Sequence, residues 1–152
     1  MIRKLLIANR GEIACRIART AAEMGIETLA IASDVDAQAM HVLACDDVVY
    51  LGGNTPAESY LRGADIIVAG LARGADAIHP GYGFLSEDPE FAQAVIDAGL
   101  IWVGPPPSAI RAMGLKDSAK VLMQEAKVPV VPGYHGVDQS VDVLQQAAQD
   151  IG

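Results

Sequence analysis

Residues 4–25, KLLIANRGEIACRIARTAAEMG, constrain the fold more than any other part of the chain. The first five are nearly all apolar, and a run that short reads as a strand buried on both faces. After Asn9-Arg10-Gly11-Glu12 the period changes. Ile13, Ile17, Ala21 and Met24 recur at steps of three and four, with Glu12, Arg16, Arg19 and Glu23 on the other side of a helix. Gly25 suits a left-handed cap. The run ETLAIA over residues 27–32 follows at once as a second strand. Strand, tight turn, amphipathic helix and strand make a βαβ unit, the seed of a parallel sheet.

The rest alternates in the same way. A turn at Ser33-Asp34 leads to a short helix over 39–44 and a third strand over 47–51 (DVVYL). The loop GGNTPAES packs Gly, Asn and Pro together. A helix is predicted from Ser59 to about Arg73, with Leu61, Ile66, Ile67, Ala69 and Leu71 as its apolar content and Gly74 as its end. ADAIH is a fourth strand. The loop PGYGFLSEDPE then leads into a helix over 89–98 with proline in its first turn, and LIWVG over 100–104 is a fifth strand. The expected fold class is α/β, a Rossmann-like parallel sheet with helices on both faces, over residues 1–105. From 106 to 152 the sequence reads as a helical connector, with helices at PPPSAIRAMG, over 116–126 and over 141–151. Ligands of such sheets lie beyond the carboxyl ends of the strands, which singles out the loops after Ala8, Ala32, Leu51, His79 and Val103.

Hydrophobic residues make up 51% of the chain but aromatic ones only 5%, so the core is built from Ala, Val, Ile and Leu. A formal net charge of -8 argues against a nucleic-acid partner. Two cysteines, Cys15 and Cys45, are too few for a disulfide framework and read as small buried apolar groups in a reducing compartment. Asn9, Arg10 and Glu12 end the N-terminal apolar run too early for a signal peptide, and no window approaches a membrane span. The expected location is the cytoplasm, or an organellar matrix if a presequence has been removed.

Three constellations carry chemistry. The turn ANRGE opens a strand onto a helix N-terminus, but one glycine stands where a dinucleotide fingerprint needs three, so NAD binding is disfavoured even with Asp34 at the end of the second strand. The loop HPGYGFLSE, residues 79–87, combines an imidazole, a phenol, two glycines and a carboxylate, and suits a polar heterocycle or anion held by backbone donors. It equally suits a histidine packed on the sheet beside two glycine turns, with Ser86-Glu87 capping the helix that begins near Pro89. Arg16, Arg19 and Glu23 share one helix face, either as solvated charges or as an interface. Lys116 opens a helix, and its position alone assigns it nothing.

Taken in order, IANRGEIACRI, HPGYGFLSE, GPPPSAIRAMG with Lys116, and VPVVPGYHG resemble the start of a biotin carboxylase. The wording of GPPPSAIR and PGYHG is most similar to the biotin-containing alpha subunit of acyl-CoA carboxylases of the methylcrotonyl-CoA or geranyl-CoA type. Acetyl-CoA, propionyl-CoA and pyruvate carboxylases are close seconds. The resemblance implies an ATP-dependent ligase, dimeric, in which MgATP activates bicarbonate as carboxyphosphate and biotin on a carrier domain is carboxylated, with a carboxyltransferase subunit choosing the acyl-CoA. It implies that Lys116 contacts ATP, that Tyr82 and Gly83 lie by the biotin ureido ring, and that Arg16, Arg19 and Glu23 belong to the homodimer interface. The family's glycine-rich lid, magnesium-binding glutamates and biotinylated lysine are not in this sequence, so no catalytic residue or metal ligand is expected within it, and the 152 residues alone are expected to be inactive. The loop GGNTPA departs from the family's usual wording. The competing reading is a stand-alone binding or assembly module with the same fold.

Overall fold

Neighbouring residues of a strand point to opposite faces, and that alternation divides the core in two. In the computed structural model residues 1–114 and 116–152 are described, the side chains of 116 and 117 excepted. Strand β1 (Lys4–Ile7) is followed by helix α1 (Gly11–Glu23), β2 (Glu27–Ala32), α2 (Met40–Leu43) and β3 (Asp47–Tyr50), then α3 (Gly63–Ala72), β4 (Ala77–His79), α4 (Pro89–Asp97) and β5 (Ile101–Trp102). The five strands form one parallel sheet in the order β3-β2-β1-β4-β5. Leu6, Leu29, Ile31 and Ile78 face one layer, where Ile66 of α3 and Phe91 and Val95 of α4 pack on them. Leu5, Ile7 and Ala77 face the other, under Ala14, Ala18 and Ala21 of α1. The α/β class and the parallel sheet with helices on both faces are thus as the sequence predicts.

The buried stripe of α1 is rotated from the one expected. Ile13 and Ala21 are buried as predicted, but Ala14 and Ala18 complete the stripe, while Ile17 is half-buried and Met24 is 68% exposed. A helix lying close on a sheet needs small side chains beneath it, and the alanines meet that need where Ile17 and Met24 would hold the layers apart. Helix α3 starts at Gly63 rather than Ser59. Residues before it form a 3₁₀ turn (Pro56–Glu58) closed by a capping box between Thr55 and Glu58, and the N–H groups of Leu61 and Arg62 then close turns onto the carbonyls of Pro56 and Ser59, so the helical ladder begins only with the Ile66 N–H on the Arg62 carbonyl. The cap of α4 is Asp88, which accepts from the N–H groups of Glu90 and Phe91, not Ser86-Glu87.

Contacts divide the chain into Met1–Ser108 and Ala109–Gly152. Helix α5 (Pro107–Met113) crosses that division, and the second unit carries α6 (Lys116–Glu125) and α7 (Val141–Ile151). No helix of the described residues is long and apolar enough to cross a membrane.

The core of the first unit contains a titratable group. His41 on α2 is 1% exposed, and its Nε2 lies 3.1 Å from the Ile31 carbonyl, to which it must donate. The neutral ring therefore carries its proton on Nε2, and its buried Nδ1 has no hydrogen-bond partner among the described residues. Burial pushes the imidazole below its ordinary 6.5, against the opposing pull of the Ile31 carbonyl. The unfolded chain then takes up the proton first, so this contribution to stability is complete above the ordinary value and is lost as pH falls through the lower folded one. Burial shifts His79 in the same direction. The unfolding free energy is expected to drop between about pH 7 and about pH 5, and His41→Gln, which keeps a donor for Ile31, should flatten that drop in urea titrations at the two pH values.

Candidate functional site

The sheet order reverses at β1. From β1 the chain moves outward to β2 and β3, then returns to lay β4 on the other side of β1 and β5 beyond it. Connections leave the strands to opposite faces on either side of that point, and a crevice opens between the carboxyl ends of β1 and β4. Asn9, Arg10 and Gly11 follow β1 there, and the loop from Pro80 to Phe84 follows β4. A cleft of about 460 Å³ lies between them, lined by Asn9, Arg10, Gly11, Tyr82 and Gly83 among others. Beside it an apolar cleft of about 520 Å³ is lined by Ile17, Met24, Ile26 and Val103, with Arg16, His79 and Tyr82 also on its wall.

The β4 loop is held from below. The Gly81 N–H donates to His79 Nδ1 at 3.0 Å, which puts the proton of the neutral ring on Nε2. Asn9, 3% exposed, donates from Nδ2 to the carbonyls of Pro80 at 2.7 Å and Tyr82 at 2.8 Å, while its Oδ1 accepts from the Arg10 N–H at 2.9 Å. Gly81 has φ of 68°, and a Cβ there would come 2.8 Å from Asn9 Nδ2. Both the left-handed backbone and the close approach require glycine. Gly83, with φ 62° and ψ −166°, occupies a region essentially reserved for glycine, and a Cβ there would meet nothing within 4 Å. Backbone thus stands open to an incoming ligand at Gly83.

Tyr82 is 56% exposed, and its hydroxyl donates to Glu12 Oε2 at 3.0 Å. That carboxylate pushes the phenol above its ordinary value. Arg16 lies 3.5 Å from the other Glu12 oxygen, so Tyr82, Glu12 and Arg16 form one chain of polar contacts from the loop to α1. Arg19 and Glu23 are exposed on the same helix and have no ion partner among the described residues. The side chain of Lys116 lies outside the described residues. Cys15 and Cys45 are both free thiols and only half-buried, where the sequence suggested full burial, and burial still pushes the Cys45 thiol up. Among the described residues no three His, Cys, Asp or Glu side chains group closely enough to hold a metal ion.

Residues 1–110 match the family described as biotin carboxylase, N-terminal domain. The chain belongs to that family. The chain is 54% identical over 151 residues to the mitochondrial methylcrotonoyl-CoA carboxylase subunit alpha of Oryza sativa subsp. japonica, covering 99% of the chain and 20% of that subunit. It is 51% identical over 149 residues to the biotin carboxylase of a Nostoc species, covering 98% of the chain and 33% of that enzyme. Among solved structures, the biotin carboxylase domain dimer of Hydrogenobacter thermophilus 2-oxoglutarate carboxylase, in complex with MgADP and bicarbonate, superimposes with a TM-score of 0.89 at 42% identity over the whole of this chain and 33% of that one. The chain therefore spans a fifth to a third of the length of these relatives.

Asn9 is a residue of this site that the sequence pattern does not single out. The signal was a polar residue directly after a strand buried on both faces, at the one turn where the glycine fingerprint was absent. A buried amide there has to be paired, but only the fold shows that its partners are carbonyls more than seventy residues away.

Proposed function

We propose that this chain is the N-terminal part of a biotin carboxylase subunit of an acyl-CoA carboxylase, and that the β4 loop faces biotin. In that family MgATP activates bicarbonate and the carboxyl group passes to N1' of biotin. The observation that supports the reading is the glycine-shaped loop at the switch point, with open backbone at Gly83 and a hydroxyl at Tyr82 beside it. A ureido ring is flat, polar on its edge and uncharged. It suits backbone donors and a phenol better than it would suit a cluster of charges. Tyr82 and Gly83 are the residues we assign to that ring. Arg16, Arg19 and Glu23, on the outward side of α1, are assigned to a homodimer contact, in line with the dimer named for the Hydrogenobacter relative. The partners in this reading are bicarbonate, a biotin carrier domain and a carboxyltransferase subunit. The cytoplasm or an organellar matrix is the compartment, the latter supported by mitochondrial relatives.

Lys116 is assigned to ATP, where an ammonium offsets phosphate charge that alanine would leave to water or other ligands. In the full-length subunit, Lys116→Ala is expected to raise the KM for ATP by about tenfold, the loss of one charge-assisted hydrogen bond, with the KM for bicarbonate nearly unchanged. The test of the whole reading is ATP hydrolysis by the full-length subunit as free biotin is added. No response to biotin would leave an assembly module with this fold.

A further inference from the structure

We propose that Asn9 is the positioning residue of the β4 loop, holding the backbone at Tyr82 and Gly83 in the orientation that receives the ureido ring; this inference rests on the reading of the loop as biotin-facing. Asn9 is almost wholly buried, and all the groups of its amide plane are committed. Its two N–H bonds go to two carbonyls two residues apart in the loop, and its oxygen takes the N–H of Arg10 in its own chain segment. A side chain with both donors spent on alternate carbonyls of one turn sets the turn's curvature, because neither peptide can rotate without breaking a buried bond. In a trans peptide the carbonyl of one residue and the N–H of the next point opposite ways. Drawing the Tyr82 carbonyl inward therefore turns the Gly83 N–H away from the buried amide. The fork thus fixes the direction of a backbone donor that Asn9 itself never touches. Gly81 belongs to the same device, since its missing Cβ is what lets the amide come within reach of both carbonyls.

Asparagine is the side chain that fits. Aspartate has the same shape but offers only acceptors, which would face two carbonyl oxygens in a buried place. Serine is smaller and leaves room for a water to bridge the same carbonyls.

The experiment measures biotin-dependent ATP hydrolysis by the full-length subunit carrying Asn9→Asp or Asn9→Ser. Asn9→Asp is expected to raise the KM for free biotin about tenfold or more, with the KM for ATP within about twofold of wild type, and Asn9→Ser to show a smaller rise of the same kind. A merely structural role gives a different pattern, because unfolded molecules lower kcat and leave KM alone. If Asn9→Asp is insoluble, Asn9→Ser decides. A biotin KM within twofold of wild type in the soluble variants overturns the inference, as does an equal rise in both KM values. A wild-type subunit that ignores biotin would overturn the reading beneath it instead.

Discussion

Truncating Tyr60 to alanine is expected to remove about 3 to 5 kcal/mol from the stability of the first unit. Its ring is 2% exposed, stacked on Phe84 at a centroid distance of 5.3 Å, with the Arg10 guanidinium 5.7 Å over it. Its hydroxyl donates to Asp36 at 2.6 Å and accepts from the Ser33 N–H at 3.1 Å. Tyr60 therefore joins the carboxyl end of β2 to the core and to the residue after Gly83. Burial pushes the Asp36 carboxyl up, but the bonds from Tyr60 and Ser33 and the charge of Arg10 together outweigh it and hold the group below the ordinary carboxylate range. Tyr60→Phe keeps the ring and leaves Ser33 and Asp36 short of a partner, so a smaller loss of about 1 to 3 kcal/mol is expected. Against a total of about 5 to 15 kcal/mol the alanine variant forfeits roughly a third. Denaturant titrations followed by the fluorescence of Trp102, the single tryptophan, measure both, and equal midpoints for wild type and Tyr60→Ala would refute the assignment.

Arg19→Glu is expected to shift the full-length subunit from dimer toward monomer. Arg19 and Glu23 stand one turn apart on the outer side of α1, exposed and without an ion partner among the described residues, while the other side of the helix is spent on the sheet. In a two-fold contact each pair is made twice, so Arg19 of one subunit can meet Glu23 of the other and be met in return. An exposed pair contributes only about 0.2 to 1 kcal/mol, but removing one partner of a desolvated pair costs about 3 to 5 kcal/mol. Arg19→Glu also sets like charges against each other at both copies. Adding Glu23→Arg swaps the signs and should restore association. Sedimentation equilibrium of the wild type, the single and the double variant reads this directly, and a single variant that sediments as the wild type does would place the contact elsewhere.

Period and punctuation alone determined the order of elements in this chain. A short apolar run cannot satisfy a helix, a three-and-four spacing cannot satisfy a strand, and glycine at 25 and 74 ends helices because the left-handed cap is cheap only there. The same local rules made β2 and α7 legible to their end residues. Motif wording went further, to the family itself, which the match over residues 1–110 bears out. Tertiary structure decided what depends on distance through space. Which face of α1 is buried followed from how near the helix can lie to the sheet, a matter of alanine against isoleucine that hydrophobic periodicity does not weigh. Helix α3 gave up its first turn to turn bonds over residues 59–62 and to a tyrosine whose hydroxyl partners sit beyond the end of β2. Asn9 acquired its place only when β4 was laid beside β1, because an amide donor and two carbonyls so far apart in sequence are unrelated groups until the parallel register brings them together.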